Sequence, residues 1–146
     1  MQTIKILDTC TLINLFDGPD RDLVSFLSDY KIVTTDVVIM EYTRRFPRQI
    51  PADLEVVGLD EAQSRLMDQL EFLYPNLAMG ERSVMAIALT YAMRGTRVIA
   101  LTDDKKALKK MSEYSKLDFV NNTFPGADNI VLGNTSDLRN HILERS

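Results

Sequence analysis

Cysteine and histidine are almost missing from this sequence, with Cys10 and His141 the single instance of each. One thiol makes no internal disulfide, and its presence fits a reducing cytoplasm. The same scarcity removes the Cys and His clusters on which zinc sites are built. Cys10 and His141 could pair as nucleophile and base only if the fold brought them together. Nothing in the sequence does so, and a lone cysteine is more often a small buried hydrophobe. No apolar run approaches the length of a membrane span, so no membrane partner is expected. Met1-Gln2-Thr3 leads straight into a strand-like segment rather than a signal peptide, which gives the expectation of a cytoplasmic protein. A Walker loop, a dinucleotide glycine fingerprint, internal repeats and low-complexity tracts are all absent. Asn121-Asn122-Thr123 and Asn134-Thr135-Ser136 match the glycosylation acceptor pattern, a triplet common by chance and without meaning in the cytosol.

What remains is an ordinary globular composition. The 146 residues are 45% hydrophobic and 26% charged, enough for one domain, residues 1–146, around one core. The formal net charge of −4 supplies no general attraction to nucleic acid, so any such role must rest on local basic patches.

Apolar segments of strand character alternate with helical ones. Residues 4–7, 31–35, 54–59, 97–101 and 117–120 read as strands. Helices are expected over 12–16, from Pro19 through Leu27, from an Asp36 cap to Arg45, over 60–74, over 79–94 with Gly95 as C-terminal cap, over 104–114, and from Ser136-Asp137 to Glu144. Pro47, Pro51 and Pro75 interrupt or stop helices. Short, nearly continuous apolar strands separated by helices predict an α/β protein with a parallel sheet covered on both faces.

Acids gather at the ends of these strands. Asp8 follows the first strand, and the adjacent Asp103 and Asp104 follow the strand over 97–101. Open parallel sheets bind ligands at their carboxyl edge, so these carboxylates are expected on one rim. Glu81 falls within the apolar stripe of Val84, Met85, Ala88 and Ala92, opposite a polar stripe of Ser83, Thr90 and Arg94. Glu41 shares a helix face with Val37 and Val38. Taken singly, each acid has an ordinary use: Asp8 and Asp104 as helix N-caps, Glu81 against a helix dipole, Glu41 in a surface ion pair with Arg44 or Arg45. Together they are costly. Two carboxylates about 4 Å apart repel by about 4 kcal/mol at an effective dielectric of about 20 unless protonated or neutralised. All-oxygen ligands favour Mg²⁺ or Mn²⁺ over zinc.

The segments "KILDTCTLINLF", "TTDVVIMEY", "GERSVMAIAL" and "VIALTDD" resemble, in order and spacing, the four acidic motifs of PIN-domain ribonucleases over about residues 4–115. The resemblance implies a Rossmann-like PIN fold, a central mostly parallel sheet of four to five strands with helices on both faces. It implies a Mg²⁺- or Mn²⁺-dependent endoribonuclease in which Asp8, Glu41, Glu81 and Asp104 form the acidic quartet with Asp103 beside it. Asp8, Glu81, Asp104 and Asp103 would then hold metal, while Thr9 and Thr102 orient carboxylates. Many members are toxins of toxin–antitoxin pairs, so RNA is the implied substrate, and a protein antitoxin or inhibitor and a homodimer are compatible with the resemblance. The third acid is usually Asp in the toxin branch. Here it is Glu81, whose extra methylene changes its reach toward a cation.

Two basic clusters flank the acids: Lys105, Lys106, Lys109 and Lys110 after Asp104, and Arg44, Arg45 and Arg48 after Glu41. They suit phosphate contacts, and equally a solvated helix face. Tyr42 and Phe46 are placed to stack a base or to pack in the core. A haloacid-dehalogenase-like phosphatase fails because Thr9-Cys10 follow Asp8 where a second Asp belongs, and a receiver domain lacks a convincing lysine after a fifth strand. The alternative of a different class is a PIN-like module that binds RNA or protein without cutting.

Overall fold

Isoleucine, valine and leucine fill the segments that become the three central strands, and there every one of these residues is buried. The computed structural model describes residues 3–16, 31–45 and 54–139. Its strands are β1 (Thr3–Leu7), β2 (Lys31–Thr35), β3 (Glu55–Val57), β4 (Arg97–Leu101) and β5 (Val131–Gly133), joined in one five-stranded sheet of order β3-β2-β1-β4-β5. Every neighbouring pair is parallel. In β1, β2 and β4 each residue after the first is buried. Consecutive residues face opposite sides of a sheet, so both faces are covered, as a parallel sheet requires.

The helices are α1 (Thr9–Phe16), α2 (Asp36–Arg45), α3 (Glu61–Leu73), α4 (Met79–Met93), α5 (Lys105–Ser115), α6 (Asp118–Thr123) and α7 (Thr135–Arg139), with a 3-10 turn at Ala127–Asn129 before β5. Several begin where a side chain satisfies the free amides of the first turn. Asp8 Oδ1 accepts the Thr11 N–H, so α1 starts at Thr9, three residues before the apolar pattern predicts. The cap of α2 is Thr35, whose Oγ1 accepts the Val38 N–H, and the expected cap Asp36 lies inside the first turn. Asp60 and Gln63 form a reciprocal capping box at α3. Asn134 and Asp137 do the same at α7 in place of the expected Ser136-Asp137 start.

Further expectations are corrected. The third strand spans only Glu55–Val57 of the six residues predicted. Residues 117–120 are no strand: Asp118 opens α6, and Asn121 Nδ2 donates to the Ser115 and Leu117 carbonyls, fixing a helical turn there. The last strand is Val131–Gly133, too short to show a pattern in sequence. The helix α4 has no solvent-facing polar stripe along its middle, because it is buried continuously from Gly80 to Leu89. The expected helix after Pro19, Phe46, Pro47, Arg48, Pro51, His141 and the chain toward Glu144 lie outside the described residues. No helix among the described residues is long and apolar enough to cross a membrane.

Candidate active site

The strand order reverses beside β1: the chain leaves β1 toward β2 on one side, while β4 lies on the other and leads on to β5. Such a switch point leaves a crevice at the carboxyl ends of the two central strands. Asp8 stands there, its N–H bonded to the Leu101 carbonyl at 3.2 Å. Thr102, Asp103 and Asp104 follow on the adjacent strand. The Thr102 hydroxyl is fully buried, hydrogen-bonds the Asp8 carboxylate and also accepts the Asp104 N–H at 3.3 Å. Thr102 thus ties Asp8 to the backbone of Asp104.

Glu41 and Glu81 arrive on helices. Thr9 Oγ1 donates to Glu41 Oε2 at 3.3 Å. Glu41 Oε1 is buried without a hydrogen-bond partner. A Cβ at Gly80 would stand 2.6 Å from that Oε1 and 3.2 Å from Thr9 Oγ1. Glu41 therefore lies against the bare backbone of the first turn of α4, next to Glu81. A buried hydroxyl pair joins the starts of the two helices, with Thr35 Oγ1 and Ser83 Oγ 2.6 Å apart. Ser83 donates to the Gly80 carbonyl at 2.6 Å, so the proton between the hydroxyls belongs to Thr35. Thr35 in turn accepts from Val38 N–H, so each hydroxyl donates once and accepts once.

Burial, with repulsion from neighbouring carboxylates, raises the proton affinity of Asp8 and Glu81. The Asp8 carboxyl is pushed up to about 6, mainly by burial and a little by Asp103, against the hydrogen bonds from Thr102 and Thr11. Glu81 is pushed up to about 7, again mainly by burial, with the charges of Asp104, Asp8 and Glu41 adding to it and the Ala78 N–H opposing. Cys10 is exposed, not the buried hydrophobe expected of a lone cysteine, and partial desolvation together with the charges of Asp8, Glu81, Asp104 and Asp103 raises its thiol to about 11. Five predicted acids, Asp8, Glu41, Glu81, Asp103 and Asp104, share one locality.

Each acid also has local work. Asp8 caps α1, and Glu81 Oε1 accepts the Ala78 N–H at 2.8 Å. Asp104 caps α5, and both of its bonds, from Lys106 and Ala107 N–H, fall on Oδ1. Asp103 is the most fully engaged. Its Oδ1 accepts the Thr135 N–H at 2.7 Å, and its Oδ2 accepts from Asn14 Nδ2 at 2.7 Å and Thr135 Oγ1 at 2.5 Å. It fastens α1 and α7 to the end of β4.

The donor set suits a hard cation: carboxylate oxygens only, two of them in protonation ranges raised by burial, and an orphaned buried oxygen on Glu41. As placed, no three His, Cys, Asp or Glu side chains among the described residues converge into a finished metal cage. Lys105, Lys106 and Lys109 are exposed just beyond Asp104, and Arg44 and Arg45 are exposed at the end of α2. Tyr42 is a core residue, 2% exposed, and does not face a ligand. Sequence reasoning missed Gly80, Thr35, Ser83, Asn14 and Thr135. Gly80 alone left a signal, as a glycine inside a helical pattern directly before an acid. Compared with models of known protein families and with curated proteins, the chain matches none.

Proposed function

We propose that this protein is a metal-dependent endoribonuclease of the PIN-domain kind, acting on RNA with Mg²⁺ or Mn²⁺. The observation that carries the reading is the convergence of Asp8, Glu41, Glu81 and Asp104 at the switch point of a parallel sheet, where burial raises the proton affinity of two of them. Asp8, Glu81 and Asp104 are the residues that would hold the cation, with Glu41 beside them. Asp103, both oxygens occupied, is assigned to positioning α1 and α7 rather than to direct ligation. A bound cation supplies Lewis acidity for hydrolysis of a phosphodiester. The chain's own contribution is to hold carboxylates at fixed positions through Thr102, Thr9 and the Thr35–Ser83 pair, and to offer Lys105, Lys106 and Lys109 to the phosphates. The same reading places the protein in the cytoplasm and admits an antitoxin-like protein partner.

The second reading is a PIN-like module that binds without cutting. It is favoured by the absence of a finished three-acid cage among the described residues and by the capping work of Asp8, Asp104 and Glu81. One experiment divides the two. Single-stranded RNA is incubated with the full chain and Mn²⁺, with and without chelator, beside Asp8→Asn. Chelator-sensitive cleavage lost in the variant is the expected result, and RNA binding without cleavage selects the module.

A further inference from the structure

A hollow of about 300 Å³ opens on the same carboxyl edge, on the β3 side of the acids. Its walls are apolar: Val37 from the start of α2, Leu59 just past β3, Met67 of α3 and Met79 of α4. Arg82 lines it and is only 8% exposed. Glu71 Oε1 stands 4.0 Å from its Nη1, a long ion pair beyond hydrogen-bond reach. Arg82 Nε is buried with no hydrogen-bond partner. A buried donor left unspent is rare and calls for an acceptor. Asp68 and Glu71 line the same hollow and bring acceptors of their own to it.

This mixture selects its ligand. A free anion would meet Asp68 and Glu71, and a free cation would meet Arg82. A neutral planar group with acceptors on one edge and donors on the other satisfies both. Guanine is such a group: N7 and O6 accept, and N1–H and the 2-amino group donate, while its faces suit apolar walls. The volume is at the lower end of small-ligand pockets, as a single base requires.

We propose that this hollow seats an unstacked guanine of single-stranded RNA, with Arg82 on the O6/N7 edge and Glu71 and Asp68 accepting from the opposite edge. The proposal rests on the reading of RNA as substrate. The geometry connects the two: α2 gives Val37 to the hollow and Glu41 to the acids, and α4 gives Met79 and Arg82 to the hollow and Glu81 to the acids. A base held there keeps its neighbouring phosphates beside the carboxylates.

The test is a methyl-detected NMR titration of the metal-free full chain with GMP, IMP, AMP and CMP, which share a phosphate and differ in the base. GMP is expected to shift the methyls of Val37, Leu59, Met67 and Met79. IMP, lacking the 2-amino group, and AMP, with its edge reversed, are expected to bind about tenfold more weakly or worse, the lower range of what one good base-edge pair discriminates. Arg82→Gln should remove the ranking. Because that residue is buried, Glu71→Gln on a side chain 62% exposed is the second variant, and it should erase the preference for GMP over IMP. No shift at millimolar GMP, equal binding of the four nucleotides, or an unchanged ranking in Glu71→Gln overturns the proposal. Cleavage of RNA without any GMP preference sinks the guanine pocket alone. GMP preference without metal-dependent cleavage sinks the nuclease reading alone.

Discussion

Gly80 has no side chain, and the place where a Cβ would stand is taken by the Glu41 carboxylate, 2.6 Å from it. Gly80→Ala is therefore a probe of one acid. The clash falls on the far end of a flexible side chain, so the fold yields cheaply, and an alanine inside a helix gains up to about 1 kcal/mol over glycine. The expected outcome is a denaturant midpoint unchanged or raised, with Mn²⁺ affinity by calorimetry and RNA cleavage both lowered. Undiminished metal affinity would take Glu41 out of the site. The neighbouring aspartates separate by the same pair of measurements. Asp104→Asn keeps its cap and loses cleavage, while Asp104→Ala loses cleavage and costs about 1 kcal/mol as well. Asp103→Asn turns an amide NH₂ toward that of Asn14 and breaks a three-bond cluster, so it should cost about 1–3 kcal/mol of stability, more than Asp104→Asn. Equal stabilities of the two asparagine variants would contradict the fastening role of Asp103.

The amphipathic pattern of α5 is what puts Lys105, Lys106 and Lys109 in solvent while Ala107, Met111 and Tyr114 are buried. Replacing the three lysines with Gln should weaken RNA binding across sequences and flatten its dependence on salt, leaving the melting temperature unchanged. A wild-type salt slope in that triple variant would mean the phosphates run elsewhere. This helix was readable because its two faces differ in chemistry. So were β1, β2 and β4, where β-branched and leucine-like residues are continuous. The continuous burial of α4 was not: a helix enclosed along its middle uses Ser83 as an interior residue, and periodicity then assigns it to a surface that does not exist there. Nor was β5, where a three-residue strand is defined by its partner Ile99–Leu101 and not by its own pattern. The acids Asp8, Asp103 and Asp104 could be placed from the sequence because parallel topology fixes where strand ends gather. The supports Asn14 and Thr135 could not, since their roles exist only after α1 and α7 meet at Asp103.

Across the whole molecule, the buried acids couple stability to pH in an unusual direction. Asp8 near 6 and Glu81 near 7 hold protons in the folded chain that they release in the unfolded chain at ordinary carboxyl values, 3.8 and 4.5. Their contribution is complete below those ordinary values and is lost as pH climbs through 6 and 7, a loss on the order of a few kcal/mol in sum. The metal-free protein should melt at a lower temperature at about pH 7.5 than at about pH 5, and Mn²⁺ should raise the melting temperature more at the higher pH. A metal-free melting temperature that is flat over this range would show that burial does not raise the proton affinity of Asp8 and Glu81.

Two of the three bonds that hold Asp103 come from Thr135, and Thr102 leans on Gly133 through its N–H. The first strand cannot complete its side of the rim without β4, whose Leu101 carbonyl receives the Asp8 N–H. A ribosome releases these parts in order, and domains fold as their parts emerge. The earliest acid is thus made at residue 8 and the latest brace at residue 135. During almost all of its own synthesis the chain carries its acids unassembled, and the machinery translating it is built from the kind of molecule it is proposed to cut.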